Sequence, residues 1–223
     1  SSSSRVLQNE SSIRKSSIIG AAYQFDTRKT GFNPDAGVNF TLSQELAGLG
    51  GGTQYLKMKA LLSGQTELFD GDLGLMGAIE AGRLQNFSGA SSVLDRFFAS
   101  GGGIRGFEHH GMGPRDISAT NNDALGGNLF AAARFESKFP IGFLENYGMS
   151  GGSFYDIGSV WKLDNTTGTS GTVDDGFSLR SSVGLSLFWK TIVGPLRINY
   201  SKVLAKKSYD KSQILELTVS TQF

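Results

Sequence analysis

One arginine and two carboxylates have the types and positions to form a cluster. Arg105 lies in the stretch Gly101–Phe107, which reads Gly-Gly-Gly-Ile-Arg-Gly-Phe and sits within about forty residues too irregular for a strand. Glu136 and Asp156 fall on the polar phase of two alternating segments that follow. A guanidinium offers a planar fork of donors that matches carboxylates, which lysine cannot copy. Glu136 and Asp156 are therefore candidate partners for an arginine in this loop, and the flanking glycines permit the tight turns that such a contact needs. A double reversal, Arg105→Glu with Glu136→Arg, should then restore part of the activity that either single change removes.

Other chemistry is possible for the same residue types, but the spacing favours none of it. Glu136 and Asp156 could form the carboxylate pair of a hydrolase, although an expected arginine neighbour argues against that role. His109 and His110 are adjacent but have no further ligand nearby for a metal. Gly48–Gly52 is glycine-rich like a phosphate-binding loop, yet no Lys-Ser/Thr follows, so a hairpin turn is predicted. The chain contains no cysteine. We expect no catalytic residue, no metal, no cofactor and no enzymatic activity.

The segments that carry these residues alternate apolar and polar side chains with a period of two, as β-strands do. Nine segments show the pattern: Ile19–Phe25, Val38–Leu42, Leu56–Leu62, Leu73–Ile79, Leu129–Lys138, Tyr155–Trp161, Leu179–Lys190, Gly194–Ser201 and Leu215–Phe223. The sequence therefore predicts an all-β, antiparallel fold of about nine strands. A soluble β-sandwich would show the same alternation, so this pattern alone leaves the membrane question open.

Connector length and composition favour a transmembrane β-barrel. Long polar connectors at Ala205–Gln213 and Lys162–Phe177 alternate with tight ones at Thr191–Pro195 and Phe69–Asp72. Outer-membrane barrels show this asymmetry, with short periplasmic turns and longer external loops. The long segment 86–127 would then lie outside or fold back into the lumen. No run of about 18 apolar residues occurs, so no transmembrane helix is predicted. The net charge of +1 gives no argument for a nucleic-acid partner.

An odd number of strands does not close a bacterial barrel of the usual even-numbered type. We therefore expect residues 1–223 to be the C-terminal portion of a barrel of about sixteen strands, beginning in an external loop at 1–16. Upstream we expect about seven more strands and a set of small periplasmic domains.

Several motifs resemble the BamA superfamily of outer-membrane assembly and transport barrels, in the same order along nearly the whole chain. Ile104-Arg105-Gly106-Phe107 is similar to the family's [V/I]-R-G-[F/Y] signature. The further matches are Asp26-Thr27-Arg28 with Phe32-Asn33-Pro34 and Gly37, Gly111-x-Gly113-Pro114-Arg115-Asp116, Asp123-Ala124-Leu125-Gly126-Gly127, Phe154–Trp161 and Gly194-Pro195-Leu196-Arg197. A four-residue match alone would be weak, but six ordered matches in a barrel context are specific. The resemblance makes the chain a surface-antigen-like barrel domain.

The resemblance also implies roles for particular residues. The signature loop would enter the lumen, where its arginine contacts acidic residues of the wall and either braces the loop or serves function directly. The loop residues so implicated are Gly103, Ile104, Arg105, Gly106, Phe107, Gly113 and Pro114, with Glu136 and Asp156 as wall partners. The last strand places Leu215, Leu217, Val219 and Phe223 on one face, similar to the terminal signal by which outer-membrane proteins are recognised for assembly.

The implied function is insertion of β-barrel proteins into the outer membrane of a Gram-negative bacterium. In this family the last strand pairs weakly with the first, so the seam can open and offer an edge to a client strand. Expected partners are outer-membrane lipid, client β-barrel proteins and accessory assembly lipoproteins. The alternatives are a related barrel for secretion or autotransporter assembly, a passive porin and a soluble binding module.

Overall fold

The computed structural model describes residues 3–10, 15–28, 36–99, 103–171, 173–192 and 194–219. Its strands are β1 Ser16–Asp26, β2 Gly37–Gly51, β3 Tyr55–Leu68, β4 Leu73–Asn86, β5 Leu129–Pro140, β6 Met149–Trp161, β7 Arg180–Thr191, β8 Gly194–Ala205 and β9 Leu215–Val219. They form one antiparallel sheet in which the order in space is the order in sequence. The predicted all-β fold with nine antiparallel strands is confirmed. Within the described residues β1 and β9 are the two edges of this sheet, which is not closed.

Helical structure in the described ranges is limited to three short segments. These are α1 Arg5–Gln8 and single 3-10 segments at Phe69–Gly71 and Gly142–Tyr147. None of them has the length and apolar character that a membrane crossing by a helix requires.

The two faces of the sheet differ in chemistry because successive side chains point to opposite sides. One face, called the outer face here, exposes large apolar side chains from every strand, including Ile19, Tyr23, Phe40, Leu62, Ile79, Phe135, Tyr155, Leu185, Tyr200 and Leu217. The other, the inner face, buries polar side chains such as Glu80, Asp156, Ser182 and Asn199. An outer apolar face and a polar inner face are what a barrel wall in lipid requires.

The connectors separate by length between the two ends of the sheet. At one end, the short-connector end, β3 joins β4 through 69–72, β5 joins β6 through 141–148 and β7 joins β8 through 192–193. At the other, the long-connector end, lie 87–128, 162–179 and 206–214. Two connectors depart from this separation. At the short-connector end, 27–36 joins β1 to β2 and is longer than 206–214. At the long-connector end, 52–54 is short because β2 continues to Gly51, which pairs with Ser16 of β1, and so includes most of the glycine-rich segment.

The longest connector packs against the inner face of the sheet. Its side chains Phe97, Ile104, Phe107 and Met112 form a buried cluster with Leu84, Phe130, Ala132 and Val160 of the strands. Residues 3–10 and the connectors 87–128, 162–179 and 206–214 are together called the external cap here. The first three of these segments share a second buried cluster of Val6, Leu125, Leu163 and Val173. The connector that contains Arg105 therefore packs against the barrel wall on one side and against the other segments of the external cap on the other.

Candidate functional site

Arg105 makes a multiple contact with Asp156 on the inner face of β6. Its Nε donates to Asp156 Oδ2 at 2.7 Å and its Nη2 to Oδ1 at 2.6 Å, which is the bidentate geometry of a guanidinium on a carboxylate. The Arg105 backbone N–H donates to the same Oδ2 at 3.0 Å. The Asp156 side chain is 0% exposed. A carboxylate buried this deeply is costly unless its oxygens accept hydrogen bonds, and Arg105 supplies three of them.

Glu136 on β5 is the second carboxylate of the cluster. Arg105 Nη1 donates to Glu136 Oε2, so one guanidinium bridges β5 and β6. Both side chains are about one-tenth exposed. The structure therefore places Arg105 against both of the carboxylates that the strand phase singled out.

Arg197 on β8 is the fourth member of the cluster, and its contact with the cluster was not predicted from the sequence. It donates to the same Glu136 Oε2 and, through Nε, to Asn199 Oδ1 at 2.9 Å. Two arginines therefore balance two carboxylates. Arg197 occupies the polar phase of its strand as Glu136 does, so the same signal could have identified it.

The shared carboxylate changes the expectation for the double charge reversal. Glutamate at position 105 would face Asp156, and arginine at position 136 would face Arg197. Two like-charge contacts would replace two ion pairs, so we expect no recovery from Arg105→Glu combined with Glu136→Arg.

Close packing supports the guanidinium from the side opposite the carboxylates. Phe154 of β6 lies under it, with the guanidinium carbon 3.8 Å from the ring centroid. The ring has room because its cross-strand neighbour on β7 is Gly184, where an added Cβ would lie 2.4 Å from Phe154 Cζ. A side chain at position 184 would displace the ring that supports Arg105.

The residues on either side of Arg105 dock the loop on the inner wall. Ile104 and Phe107 are buried in the inner cluster, and Ile104 lies over Gly158 of β6. Gly106 has a φ of 87°, a region that favours glycine. A Cβ there would also lie 3.2 Å from the Cβ atoms of Ser182 and Ser201. Gly103 has no room for a side chain because its Cβ would lie 2.6 Å from the Ala99 carbonyl oxygen.

The loop also pairs with the segment that leads into the last strand. Backbone hydrogen bonds run from Glu108 N to Lys211 O at 3.0 Å, from Lys211 N to Gly111 O at 2.9 Å and from Gln213 N to Gly106 O at 2.9 Å. Only one residue separates the last of these from β9. The anchoring of Arg105 and the placement of β9 are therefore joined through the main chain.

Gly113 and Pro114 lie farther along the same connector, within the external cap. Both are buried, and Gly113 has a φ of 116° above Val160 of β6. The Pro114 carbonyl accepts from Leu125 N at 3.0 Å, which closes the connector back on itself. These two residues thus shape the turn between the Arg105 cluster and the cap, and they do not touch the cluster.

Asp116 is the last residue of the Gly111–Asp116 motif, and its carboxylate is the centre of a hydrogen-bond network in the external cap. Its carboxylate accepts from Ser4 Oγ at 2.7 Å, Ser118 Oγ at 2.5 Å and Thr169 N at 2.9 Å, so it links three separate segments. Burial opposes its ionisation, but these hydrogen bonds outweigh burial and lower the pKa of Asp116 from 3.8 to about 2.

We expect Asp116→Asn to lower the free energy of opening the external cap by about 1.5–3 kcal/mol, which is the usual contribution of a hydrogen bond to a charged group. Because the folded-state pKa is lowered, the stabilisation is present above about pH 4 and is lost as the pH falls from 3.8 towards about 2. Limited proteolysis of the cap across this range should show the acid dependence in the native protein and a flatter profile in the variant. Asp70→Asn, at an exposed turn of the opposite end, serves as the control. A native-like profile for Asp116→Asn would contradict this assignment.

The remaining candidates are placed without a common site. Leu215, Leu217 and Val219 lie on the exposed outer face of β9, while Phe223 is outside the described residues. The ring centroids of His109 and His110 lie 4.0 Å apart and those of His110 and Phe98 lie 4.3 Å apart, and in both pairs the rings are tilted by about 40°. Within the described ranges, no three His, Asp or Glu side chains approach closely enough to hold a metal ion.

Comparison with known families matches this architecture to one of them. A model described as the Omp85 superfamily domain matches residues 2–223, which is nearly the full length of the chain. This chain belongs to the Omp85 superfamily. Membership, together with the relatives described below, places it in the outer membrane of a Gram-negative bacterium.

Three curated relatives of this Omp85 chain are each named outer membrane protein assembly factor BamA. The protein from Neorickettsia risticii is 32% identical over 193 residues, covering 86% of this chain and 25% of the relative. Those from Neisseria meningitidis and Nitratidesulfovibrio vulgaris are each 26% identical, over 71% and 88% of this chain and over 22% and 24% of their own lengths. The chain thus spans about a quarter of the length of these relatives.

A solved structure confirms the fold. The crystal structure of BamA from Haemophilus ducreyi lacking POTRA domains 1–3 superposes with a TM-score of 0.78 and 23% identity, over 92% of this chain and 42% of that one. The Omp85 chain therefore has the fold of part of a BamA barrel.

Proposed function

We propose that this Omp85 chain forms the C-terminal wall of an outer-membrane assembly factor that folds and inserts other β-barrel proteins. The name outer membrane protein assembly factor, which the three relatives described above share, supports assembly as the activity. In this proposal β9 is the functional edge and offers its backbone donors and acceptors to an incoming client strand. The work is non-covalent and uses no cofactor. Outer-membrane lipid, client barrels and accessory lipoproteins are the partners.

The observation that carries the proposal is the connection between the Arg105 loop and β9. β9 pairs with β8 over the five positions from Leu196–Val219 to Tyr200–Leu215. The segment just before it donates backbone hydrogen bonds to the carbonyls of Gly106 and Gly111, and Arg105 is fixed on two wall carboxylates. A short edge strand exposes unpaired backbone groups that can template another strand, while the anchored loop keeps its start in position.

Site-specific cross-linking tests templating directly. Thr218→Cys on β9 would be combined, in the complete protein, with single cysteines along the terminal strand of a client barrel stalled during assembly. We expect disulfides to concentrate at one client position, because paired strands keep a fixed register and only the directly opposed residue comes close enough. Ser186→Cys has the same inner phase on the central strand β7 and should give none. If assembly proceeds and Thr218→Cys cross-links no more than Ser186→Cys, strand templating at β9 is wrong.

A further inference from the structure

The turns at the short-connector end carry large apolar side chains at their tips. Phe69, between β3 and β4, and Phe143, between β5 and β6, are each 74% exposed. Ile192, between β7 and β8, is fully exposed. Three successive connectors at this end thus each expose an aromatic or branched apolar side chain. Turns that face water usually carry polar residues at such positions.

Phe69 occupies this position against its backbone preference. Its φ is 54°, in the left-handed region that bulky residues seldom adopt and that glycine or asparagine would accept more easily. Asp70 next to it has a φ of 55°. The turn therefore tolerates an unfavourable conformation at an exposed aromatic residue, which local turn chemistry does not explain.

The outer face carries apolar side chains at the last outward positions before these turns, although Ser137 and Ser153 pair on the same phase nearer the middle of the sheet. Leu68 pairs with Leu73 at the end of β3 and β4, and Met149, Trp189 and Leu196 lie side by side at the ends of β6, β7 and β8. Towards the long-connector end, the same outward phase mixes the polar side chains Gln44, Arg83, Gln85 and Lys202 with the exposed apolar side chains Leu46 and Leu204. The apolar surface of the outer face therefore reaches the short-connector end, where the turns begin.

Several charged side chains at this end face the inner mouth, while Asp70 is exposed beside Phe69. A cavity at the inner mouth is lined by Glu67, Asp72, Lys138, Glu145 and Lys190. Phe69, Phe143 and Ile192 are not among its lining residues. Near the same rim Trp189 Nε1 donates to the Tyr147 carbonyl at 3.1 Å, an indole with one polar contact and a largely apolar surround.

We infer that Phe69, Phe143 and Ile192 are inserted into the interfacial layer of the phospholipid bilayer and anchor this rim of the barrel wall. The occupant is lipid because the tips extend a surface that already faces lipid. Aromatic and branched side chains at headgroup depth keep their apolar atoms in the acyl region while the turn backbone remains hydrated. The charged mouth beside them stays in the aqueous phase of the lumen.

Tryptophan reporters of depth test this inference. In the complete protein, with native tryptophans including Trp161 and Trp189 replaced by phenylalanine, Phe69→Trp, Phe143→Trp and Ile192→Trp would be made singly. Each would be reconstituted in dioleoyl-phosphatidylcholine vesicles that contain lipid brominated either near the glycerol backbone or near the chain ends. We expect blue-shifted emission and loss of intensity that is greater with the shallow bromine than with the deep one.

Two matched reporters calibrate the result. Leu185→Trp, 61% exposed in the middle of the outer face of β7, should be quenched more by the deep bromine. Leu94→Trp, 80% exposed in the external cap, should be quenched by aqueous iodide and by neither lipid. Folding is checked by the mobility of the unheated barrel in gels, and the position whose variant fails that check is labelled with a cysteine-linked fluorophore instead. Tips that behave like Leu94→Trp, or that are shielded from both lipid and iodide, would overturn the inference.

Discussion

Arg105→Ala should release the loop from the inner wall and reduce assembly of client barrels more than any other single change in the cluster. The substitution leaves Asp156 fully buried without its bidentate partner, and loss of one member of a buried ion pair typically costs about 3–5 kcal/mol. Because Gly106 and Gly111 are bonded to the segment before β9, the release should also loosen the start of β9. Hydrogen exchange of the β9 amides and the level of folded client barrels in cells would measure the two consequences.

Two further variants separate the geometry of Arg105 from its charge. Arg105→Lys keeps the cation but loses the fork, so we expect an intermediate defect. Arg83→Ala removes an arginine exposed on the outward phase of β4 and should leave both measurements at the native level. If the β9 amides exchange as slowly in Arg105→Ala as in Arg83→Ala, the proposed connection between the loop and the last strand is wrong. If exchange rises but client levels do not change, Arg105 is a brace without a role in assembly.

Asp210→Ala should detach the connector 206–214 from the wall. Asp210 accepts from Arg180 Nε at 3.0 Å and from Nη2 at 3.2 Å, and both side chains are almost fully buried. The Asp210 carboxylate also accepts from Lys207 N at 2.7 Å, which shapes the turn. Removal of the acid strands a buried guanidinium, and we again expect a cost of about 3–5 kcal/mol in urea unfolding of the lipid-reconstituted protein.

The neighbouring ion pair provides the control for Asp210→Ala. Lys207 lies on the same connector as Asp210, and its Nζ contacts Asp174 of the connector 162–179 at 2.9 Å. The lysine side chain, however, is 40% exposed. Lys207→Ala should therefore cost at most about 1 kcal/mol. The double variant Arg180→Met with Asp210→Leu should recover most of the stability, because an apolar pair of similar size often replaces a buried ion pair without loss. A double variant no more stable than Asp210→Ala would contradict the interpretation that a stranded charge causes the defect.

The strands and the inner carboxylates could be predicted from the sequence for one physical reason. Each strand has a lipid-facing and an inner side, so its side chains alternate in polarity and the period of two is visible locally. The same phase placed Glu136 and Asp156 on the side that Arg105 reaches. The lengths of the strands were underestimated, as in β2 and β4, because the alternation weakens near Gly48–Gly52 and beyond Ile79.

The external cap could not be predicted in this way. Its connectors have no periodicity, and its contacts join residues far apart in the chain, such as Ser4 with Asp116 across 112 positions. The burial of Arg96 under the cap, where its Nη1 donates to the Leu125 carbonyl at 3.1 Å, belongs to the same class of contact. Such pairs carry no local signal because each partner alone reads as an ordinary polar loop residue.

The sequence by itself therefore determined an all-β chain with nine antiparallel strands, one apolar face, and an arginine in a glycine-bearing loop opposite two acidic positions. Only the tertiary structure decided that Arg197 shares Glu136, that Asp116 gathers three segments, and that the Arg105 loop is bonded to the approach of β9. Alternation along a strand is a local consequence of having two solvents on its two sides. The pairing of loops depends on which strands bring them together, and that is a property of the assembled sheet.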